Sequence, residues 1–361
     1  MNSLAHRTAA LSDSERGLLR DSLRSFLRQG WPTDHAVERS VDAGAVTALW
    51  RGLADLGLTS LGASSEPTGL GEILLVFEEL GRASCPAPLL GAIAANLALE
   101  NQQSNAARAI LEELHRGDAV IALALGPFDG DASAGRVEIR DGALSGGLSF
   151  VESAQAATHV LVCTNEPPGV AIVTTEAAGL QIESTPGLAV PPLSKFTFGN
   201  TPAVFCGIAW ETLADIALVA RLGCASRALG AAQRGFELAV EHAKVRKQFG
   251  QLIGQFQAVQ HKLANGLTSL DGSRLALEAV AQAHDDGNPG WRIFAASALA
   301  FSGPALRAVS IETHRALGAI GYAEEHEAPR HFRRVHADLA RFGGVSRARA
   351  VLADFMLGPA S

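Results

Sequence analysis

The sequence has few of the residues that build metal centres or covalent cross-links. Its 361 residues include only four cysteines, and no two of them are spaced as Cys-x-x-Cys. Zinc sites and disulfide frameworks normally show close or regular cysteine spacing. We therefore expect no metal site and no disulfide framework, and we interpret the cysteines as reduced core thiols of a cytosolic protein: Cys85, Cys163, Cys206 and Cys224.

Excess positive charge and long apolar runs are also missing. Thirty Lys and Arg residues face 37 Asp and Glu residues, so the formal net charge is -7 and no basic footprint for nucleic acid is present. No uninterrupted run of 18 apolar residues occurs, so we expect no membrane contact. The first 21 residues are polar and charged, unlike a signal peptide. These features predict a cytoplasmic, globular protein.

Local patterns divide the chain into helices, then strands, then helices. Ser12 and Glu15 form a capping-box motif that opens the first helix, and apolar periods predict helices at residues 46–56, 72–81 and 92–99. We expect Glu78 and Glu79 to lie on a solvated helix face. Helix returns near residue 211. No proline occurs between Pro202 and Pro289, so long helices are permitted there.

Between these helical parts, short β-prone runs alternate with Gly, Pro, Asn and Asp clusters. This pattern is typical of a small antiparallel barrel or sandwich. We therefore predict an α+β protein, mostly α, with an N-terminal helical domain (residues 1–117), a middle β domain (118–208) and a C-terminal four-helix bundle (209–361). The predicted strands are residues 119–125, 137–139, 159–163, 170–174, 180–184 and 196–198, and the predicted separators include Gly146-Gly147.

Residues 221–260 are the most informative stretch. A long amphipathic helix is predicted to end at Gly250, and a second apolar period begins at Phe256. Spacing alone makes Arg246 an ordinary charge at a helix end. The sequence Arg-Lys-Gln-Phe-Gly at residues 246–250, followed by Gln257, closely resembles the signature of the acyl-CoA dehydrogenase family. These flavin enzymes oxidise the Cα–Cβ bond of acyl-CoA thioesters, and their helix–strand–helix domain order is similar to that predicted here.

A second signature lies near the C-terminus. Residues 315–322 read Arg-Ala-Leu-Gly-Ala-Ile-Gly-Tyr, where the family pattern is a Gln followed by Gly-Gly-x-Gly and an aromatic residue. Small residues permit a close approach of backbone to an adenylate or pyrophosphate. By resemblance, the FAD-binding residues, which serve the neighbouring subunit's cofactor, are Arg246, Phe249, Gln257, Arg315, Gly318 and Ala319.

The resemblance also implies a substrate role for Arg221, which matches an arginine beside the acyl-CoA cavity; a surface helix charge is the alternative. The catalytic base is missing from both positions that the family uses. One position corresponds to Phe342 or Gly343, and the other to Ala220. A dehydrogenase needs a carboxylate there to remove the α-proton while the flavin takes the β-hydride. We therefore predict no catalytic residue in this chain.

The middle domain departs from the family as well. The segments that normally bind the flavin ring and substrate read Leu-Ala-Leu-Gly-Pro-Phe-Asp-Gly-Asp at residues 123–131 and Leu-Ser-Phe-Val-Glu-Ser at 148–153. Near the N-terminal domain, residues 64–71 replace the usual Gly-Gly step. Residues for a neighbour's flavin are thus kept, whereas residues for the chain's own flavin are lost.

This asymmetry predicts a non-catalytic subunit that completes a partner's FAD site. The resemblance implies a heterotetramer with two copies of each homologous subunit, like bacterial enzymes of steroid degradation, an acyl-CoA substrate and an electron-transfer flavoprotein as a possible acceptor.

Two alternatives stay open. One is a homo-oligomeric dehydrogenase whose base is a relocated surface acid, with Asp338, Glu324 and Glu325 as candidates. The other is a non-redox binding protein, for which the basic patch of Arg330, Arg333, Arg334 and His336 is a candidate surface, although a solvated or intersubunit helix face is the favoured interpretation of that patch.

Overall fold

The computed structural model describes residues 11–32, 39, 42–63, 68–187, 189–190 and 192–358. The first ten residues, residues 64–67 of the segment that replaces the Gly-Gly step, and Pro191 lie outside the described residues. Within them, the predicted order of helices, strands and helices is confirmed. The exact divisions at residues 117–118 and 208–209 stay a prediction.

Five described helices form the N-terminal part: α1 (Asp13–Gly30), α2 (Ala43–Asp55), α3 (Leu70–Arg82), α4 (Leu89–Leu99) and α5 (Asn105–His115). The capping box is present, because Ser12 Oγ accepts from the Glu15 N–H and the Glu15 carboxylate accepts from the Ser12 N–H at 2.8 Å. The expectation for Glu78 and Glu79 is wrong. Helix α3 is covered on several sides, so Glu79 is buried against Arg24 and Glu78 binds Arg274.

The middle part is a sandwich of two four-stranded sheets. One sheet has the order β1-β4-β5-β8 and the other β2-β3-β7-β6. Their inner faces share a core that includes Leu148, Val162 and Phe196. The strands are β1 (Ile121–Ala124), β2 (Gly135–Arg140), β3 (Ala143–Glu152), β4 (His159–Asn165), β5 (Pro168–Thr174), β6 (Leu180–Ser184), β7 (Leu193–Pro202) and β8 (Val204–Gly207).

Two features of the sandwich differ from the prediction. Strands β1 and β4 pair in parallel, whereas the other neighbours are antiparallel. Gly146 and Gly147 lie within β3 and do not separate two strands. Gly146 has φ +121°, and a Cβ there would lie 2.4 Å from the Arg136 carbonyl oxygen, so glycine permits the close strand contact at this point.

The C-terminal part contains α6 (Trp210–Val245), α7 (Gln257–Asp285), α8 (Trp291–Leu317), α9 (Ala328–Ala340) and α10 (Gly344–Leu357). Helices α6 to α9 pack as the predicted bundle, and α10 packs on α8. By length and composition, one described helix, at Trp291–Tyr322, is apolar enough to cross a membrane. It packs against four other helices, as a core helix does. All four cysteines are free and buried, as predicted.

Helices α3 and α6 meet backbone to backbone through two glycines. A Cβ at Gly81 would lie 1.8 Å from the Arg227 carbonyl oxygen, and one at Gly230 would lie 1.8 Å from that of Glu78. We expect Gly230→Ala to lower the free energy of unfolding by about 3 kcal/mol, because backbone cannot move aside like a side chain. Gly17→Ala is the matched helical control: nothing lies within 4 Å of its Cβ, so a small stabilisation is expected in denaturant unfolding. Equal effects of the two changes would refute this account of the contact.

Candidate functional site

A small hairpin connects α6 to α7 and carries the first signature. Strands β9 (Lys247–Gln248) and β10 (Gln251–Leu252) pair antiparallel around Phe249 and Gly250, which have φ +51° and +82°. Two positive φ values suit a tight two-residue turn, but a bulky side chain rarely adopts one. Phe249 is nevertheless 92% exposed. The prediction that Gly250 ends the helix is wrong: α6 ends at Val245, and Gly250 forms the turn.

Arg246 lies at the base of this hairpin. Its N–H donates to the His242 carbonyl at 2.9 Å, and its own carbonyl accepts from the Ile253 N–H at 2.9 Å. The backbone is therefore fixed at both sides while the guanidinium is exposed. Gln257, also exposed, is the first residue of α7. The local fold thus presents a cation and an amide outward from one rigid connection.

The second signature lies at the same end of the bundle, where α6 ends, α7 begins and α8 ends. Leu317 of α8 packs with Leu263 of α7 and Leu238 of α6. Gly318 then follows with φ +63°, and a Cβ there would meet nothing within 4 Å. Ala319 is exposed beside it.

Several cationic groups gather at this end. Arg315 binds Glu312 at 2.5 Å, and Glu312 also binds Lys262 of α7 at 2.8 Å. The pKa of His242 is lowered by its partial burial and by the nearby charges of Arg246 and His326. An exposed, positively charged surface of this kind suits an anionic group such as a pyrophosphate. The assignment of these residues to a cofactor stays a proposal.

Arg221 lies inside the protein, between α6 and two loops. It is largely buried and donates to the Phe342 carbonyl at 2.9 Å and to the Phe128 carbonyl at 2.5 Å. Burial and the charge of Arg347 lower its pKa to about 10. Its observed hydrogen bonds hold two loops against α6, and it is not a surface helix charge. A substrate role for Arg221 stays a prediction.

A cavity of about 710 Å³ lies between the sandwich and α9. Phe150 and Leu193 line it from the sandwich, and Phe332, Ala337 and Phe342 from the bundle. At the family positions of the base, Ala220 and Phe342 are apolar and buried, with 4% and 3% exposure, and Gly343, the alternative to Phe342, has no side chain. None of them supplies a carboxylate to the cavity.

Two of the three acids that could serve as a relocated base are held in ion pairs. Asp338 is buried, which corrects its assignment as a surface acid, and both of its oxygens bind Arg227. Glu324 is exposed and paired with Arg333, and Glu325 is exposed. Sequence reasoning missed Asp129, which lines the cavity and is buried. An aspartate in a Gly- and Pro-containing loop has the signature of a turn residue, so no sequence signal identified it.

The predicted basic patch on α9 is not a single solvated face. Arg334 is fully buried and donates to the Cys85 carbonyl at 2.9 Å, and burial lowers its pKa to about 10. Arg333 and His336 line the cavity instead. The patch is divided because α9 is covered on more than one side.

A buried ion network joins the sandwich to the bundle beside this cavity. Arg227 of α6 is 0% exposed and binds both oxygens of Glu152 at 2.8 and 2.7 Å. It also binds both oxygens of Asp338 of α9 at 2.9 and 2.6 Å. Arg341 donates to Glu152 as well. Glu152 ends β3 and lies within residues 148–153, which depart from the family's flavin-ring segment, and its carboxylate is bound inside the protein by Arg227 and Arg341.

Acid should weaken this network. Burial alone raises the pKa of Glu152, but Arg227 and Arg341 lower it to about 2, below the ordinary 4.5. A second buried group of ion pairs behaves in the same way: Glu327, bound to His331 and Arg234, has a pKa of about 2 although burial opposes this shift. A depressed carboxyl pKa stabilises the fold above the unfolded value and loses that effect as pH falls towards the folded value. We expect the melting temperature to fall between about pH 4.5 and 2; constancy over that window would contradict the ion pairs.

Comparisons with known proteins identify the family of this chain. Residues 210–356 match the family "Acyl-CoA dehydrogenase, C-terminal domain". The chain is 31% identical over 331 residues to acyl-CoA dehydrogenase IpdE2 of Mycobacterium tuberculosis, covering 89% of this chain and 91% of that protein.

Solved structures give the same result for the fold. A variant of the Tcur3481-Tcur3483 steroid ACAD superposes with a TM-score of 0.84 at 26% identity, over 95% of this chain and 98% of that one. The ChsE4-ChsE5 complex from Mycobacterium tuberculosis gives a TM-score of 0.82 at 20% identity, over 97% and 99%. The fold, the two signatures and the full-length relative together establish that this chain belongs to the acyl-CoA dehydrogenase family.

Proposed function

We propose that this chain is the non-catalytic subunit of a heteromeric, FAD-dependent acyl-CoA dehydrogenase. It completes the FAD site of a homologous catalytic partner, which performs the α,β-dehydrogenation of an acyl-CoA thioester. The family supports FAD as the cofactor. When bound, the flavin accepts the hydride from Cβ, and this chain's part is to bind and orient the dinucleotide.

The observation that carries this proposal is the contrast between two regions. The bundle end with Arg246, Phe249 and Gln257 is exposed, preformed and cationic. Residues 148–153, which depart from the family's flavin-ring segment, contain Glu152, which Arg227 and Arg341 bind inside the protein. An exposed guanidinium on a rigid backbone can form bidentate bonds to a neighbour's pyrophosphate. A carboxylate that is already ion-paired in the interior has little acceptor capacity left for hydrogen bonds from a ligand.

Each cofactor residue has a distinct proposed task. Arg246 binds the pyrophosphate, Phe249 covers the dinucleotide with its exposed ring, and Gln257 donates amide hydrogen bonds. Gly318 and Ala319 allow the ADP half to approach the backbone, where a larger side chain would intrude. Arg315 lies one helical turn before them and adds positive charge.

The partner in this proposal is a homologous catalytic subunit, in a heterotetramer with two copies of each chain. The two-component names of the Tcur3481-Tcur3483 steroid ACAD and the ChsE4-ChsE5 complex support a heteromeric assembly. We extend the proposal to a steroid-derived acyl-CoA, with Arg221 near its cavity, to a cytoplasmic location and to an electron-transfer flavoprotein as acceptor. The relocated-base alternative is disfavoured because Asp338 is ion-paired with Arg227 and Glu324 with Arg333.

Co-expression tests this function. The chain should be colourless and inactive when purified alone, but yellow and active towards acyl-CoA when purified with its homologous catalytic subunit. A partner-free preparation that holds stoichiometric FAD and turns over acyl-CoA would refute the proposal. A stable pair without flavin under FAD-saturating conditions would instead support the non-redox binding alternative.

A further inference from the structure

Arg334 of α9 is a fully buried cation that the proposed function does not use. Its side chain is 0% exposed, and its Nη2 donates to the Cys85 carbonyl, in the connection between α3 and α4, at 2.9 Å. The preceding residue, Arg333, differs in both respects, because it lines the cavity and pairs with Glu324. Arg334 therefore belongs to the interior between α9 and the N-terminal helices.

The guanidinium of Arg334 has more donors than the surrounding protein satisfies. Within the described ranges, its Nε and Nη1 have no hydrogen-bond acceptor, and no acid forms an ion pair with it. Both oxygens of Asp338, one helical turn further along α9, bind Arg227 instead. Glu152 is bound by Arg227 and Arg341. A buried guanidinium with unpaired donors is unfavourable unless a further acceptor binds to it.

The buried charges around Arg334 do not balance. Three largely buried cations and two buried acids form this group: Arg227, Arg334, Arg341, Glu152 and Asp338. The next charges, Asp129 and Arg221, oppose each other and leave the excess unchanged. Burial and then the charge of Arg227 lower the pKa of Arg334 to about 10, and the acids oppose this shift only in part. At neutral pH the side chain is still charged, and the described side chains around it leave one positive charge in excess.

The surroundings suit an anion that is small and carries a single charge. Ser84, Cys85 and Arg334 are all buried, so a large organic anion has no room to approach them. The Cys85 thiol lies in the field of Arg334 and Arg227, and burial raises its pKa to about 12. It stays protonated at neutral pH and can donate a weak S–H hydrogen bond. The Ser84 hydroxyl is already engaged with His331 at 3.0 Å.

We propose that Arg334 and the Cys85 thiol hold a buried monovalent inorganic anion of the size of chloride. The anion accepts from the free guanidinium donors and neutralises the excess charge of the ion network between the sandwich and the bundle. Because only the folded chain forms this site, the stability of the protein depends on the concentration of the anion. The site does not include the hairpin end of the bundle, so loss of FAD through Arg246 leaves it intact, and the two proposals can fail independently.

The first test compares melting temperatures in sodium chloride, sodium bromide and sodium gluconate at equal ionic strength. It uses the full-length chain, alone and co-purified with its partner. Gluconate is too large for the buried site and serves as the reference salt. Chloride or bromide at about 100 mM should raise the melting temperature by about 2 °C or more relative to gluconate. Equal melting temperatures in the three salts would overturn the proposal.

Variants at two adjacent positions separate a bound anion from a general salt effect. Arg334→Met removes the excess charge and should abolish the difference between chloride and gluconate. Arg333→Met, at the neighbouring residue that pairs with Glu324, is the matched control and should keep the difference. Arg334→Lys retains the charge and guards against misfolding of the methionine variant; it should keep part of the difference. A difference of unaltered size in Arg334→Met would show a general salt effect and overturn the proposal.

Anomalous diffraction from a crystal of the unaltered protein soaked in bromide tests the position of the anion. A bromide peak in contact with the Arg334 guanidinium is expected. An ordered water in that place, with bromide bound only at the surface, would overturn the proposal.

Discussion

Arg246→Ala should release FAD from the assembled enzyme without separating the two subunits. The guanidinium is exposed and its backbone is fixed at 2.9 Å by both His242 and Ile253, so the change removes charge without altering the hairpin. A charge-assisted hydrogen bond contributes about 1.5–3 kcal/mol. We therefore expect FAD affinity, measured by flavin fluorescence during titration, to fall about 10- to 100-fold, with activity restored by excess FAD.

Two matched variants separate charge from geometry. Lys247→Ala removes the adjacent exposed cation, which the family signature does not assign to the pyrophosphate, and should change FAD affinity less than about 3-fold. Arg246→Lys keeps the charge but loses the bidentate fork, so an intermediate affinity is expected. Full FAD affinity in Arg246→Ala would show that this residue does not bind the cofactor.

Arg227→Met should cause the largest loss of stability. The change leaves Glu152 and Asp338 as buried carboxylates, which lose four hydrogen bonds from one guanidinium. Breaking one partner of a buried ion network typically costs about 3–5 kcal/mol. We expect a loss of that size in the free energy of unfolding by denaturant, together with a lower melting temperature.

The control for Arg227 is an ion pair on the surface. Arg116 and Asp118 are 3.1 Å apart and more than half exposed, so Arg116→Ala should change stability by less than about 1 kcal/mol. The triple change Arg227→Met, Glu152→Gln and Asp338→Asn should recover part of the loss, because fewer charges stay buried. If Arg227→Met were as harmless as Arg116→Ala, the network would not hold the sandwich to the bundle.

Helices and domain order were predictable because apolar spacing and capping are local. The Ser12–Glu15 capping box and the helix from Leu70 to Arg82 follow from residues a few positions apart. The hairpin after α6 was not predictable, since its strands have two residues each and carry no period. Phe249 also adopts a φ of +51°, against its own preference.

The environment of the site depended on contacts distant in sequence. Arg227 occupies a helix position that resembles a solvated charge, and its partners Glu152 and Asp338 lie 75 and 111 residues away. Asp129 likewise resembles an ordinary turn residue until the cavity encloses it. The motifs singled out Arg246, Gln257 and Gly318, which lie at one end of the bundle, and their role at a cofactor stays a proposal. No motif could reveal that Glu152 is ion-paired inside the protein.

The central claim is that the pair of subunits has one working flavin site, contributed jointly, and not two. The most direct test counts FAD per pair in the purified complex, by absorbance of released flavin against protein determined by amino-acid analysis. The account predicts one FAD per pair, lost in the Arg246→Ala complex. Two FAD molecules per pair, with one of them retained in that variant, would contradict it.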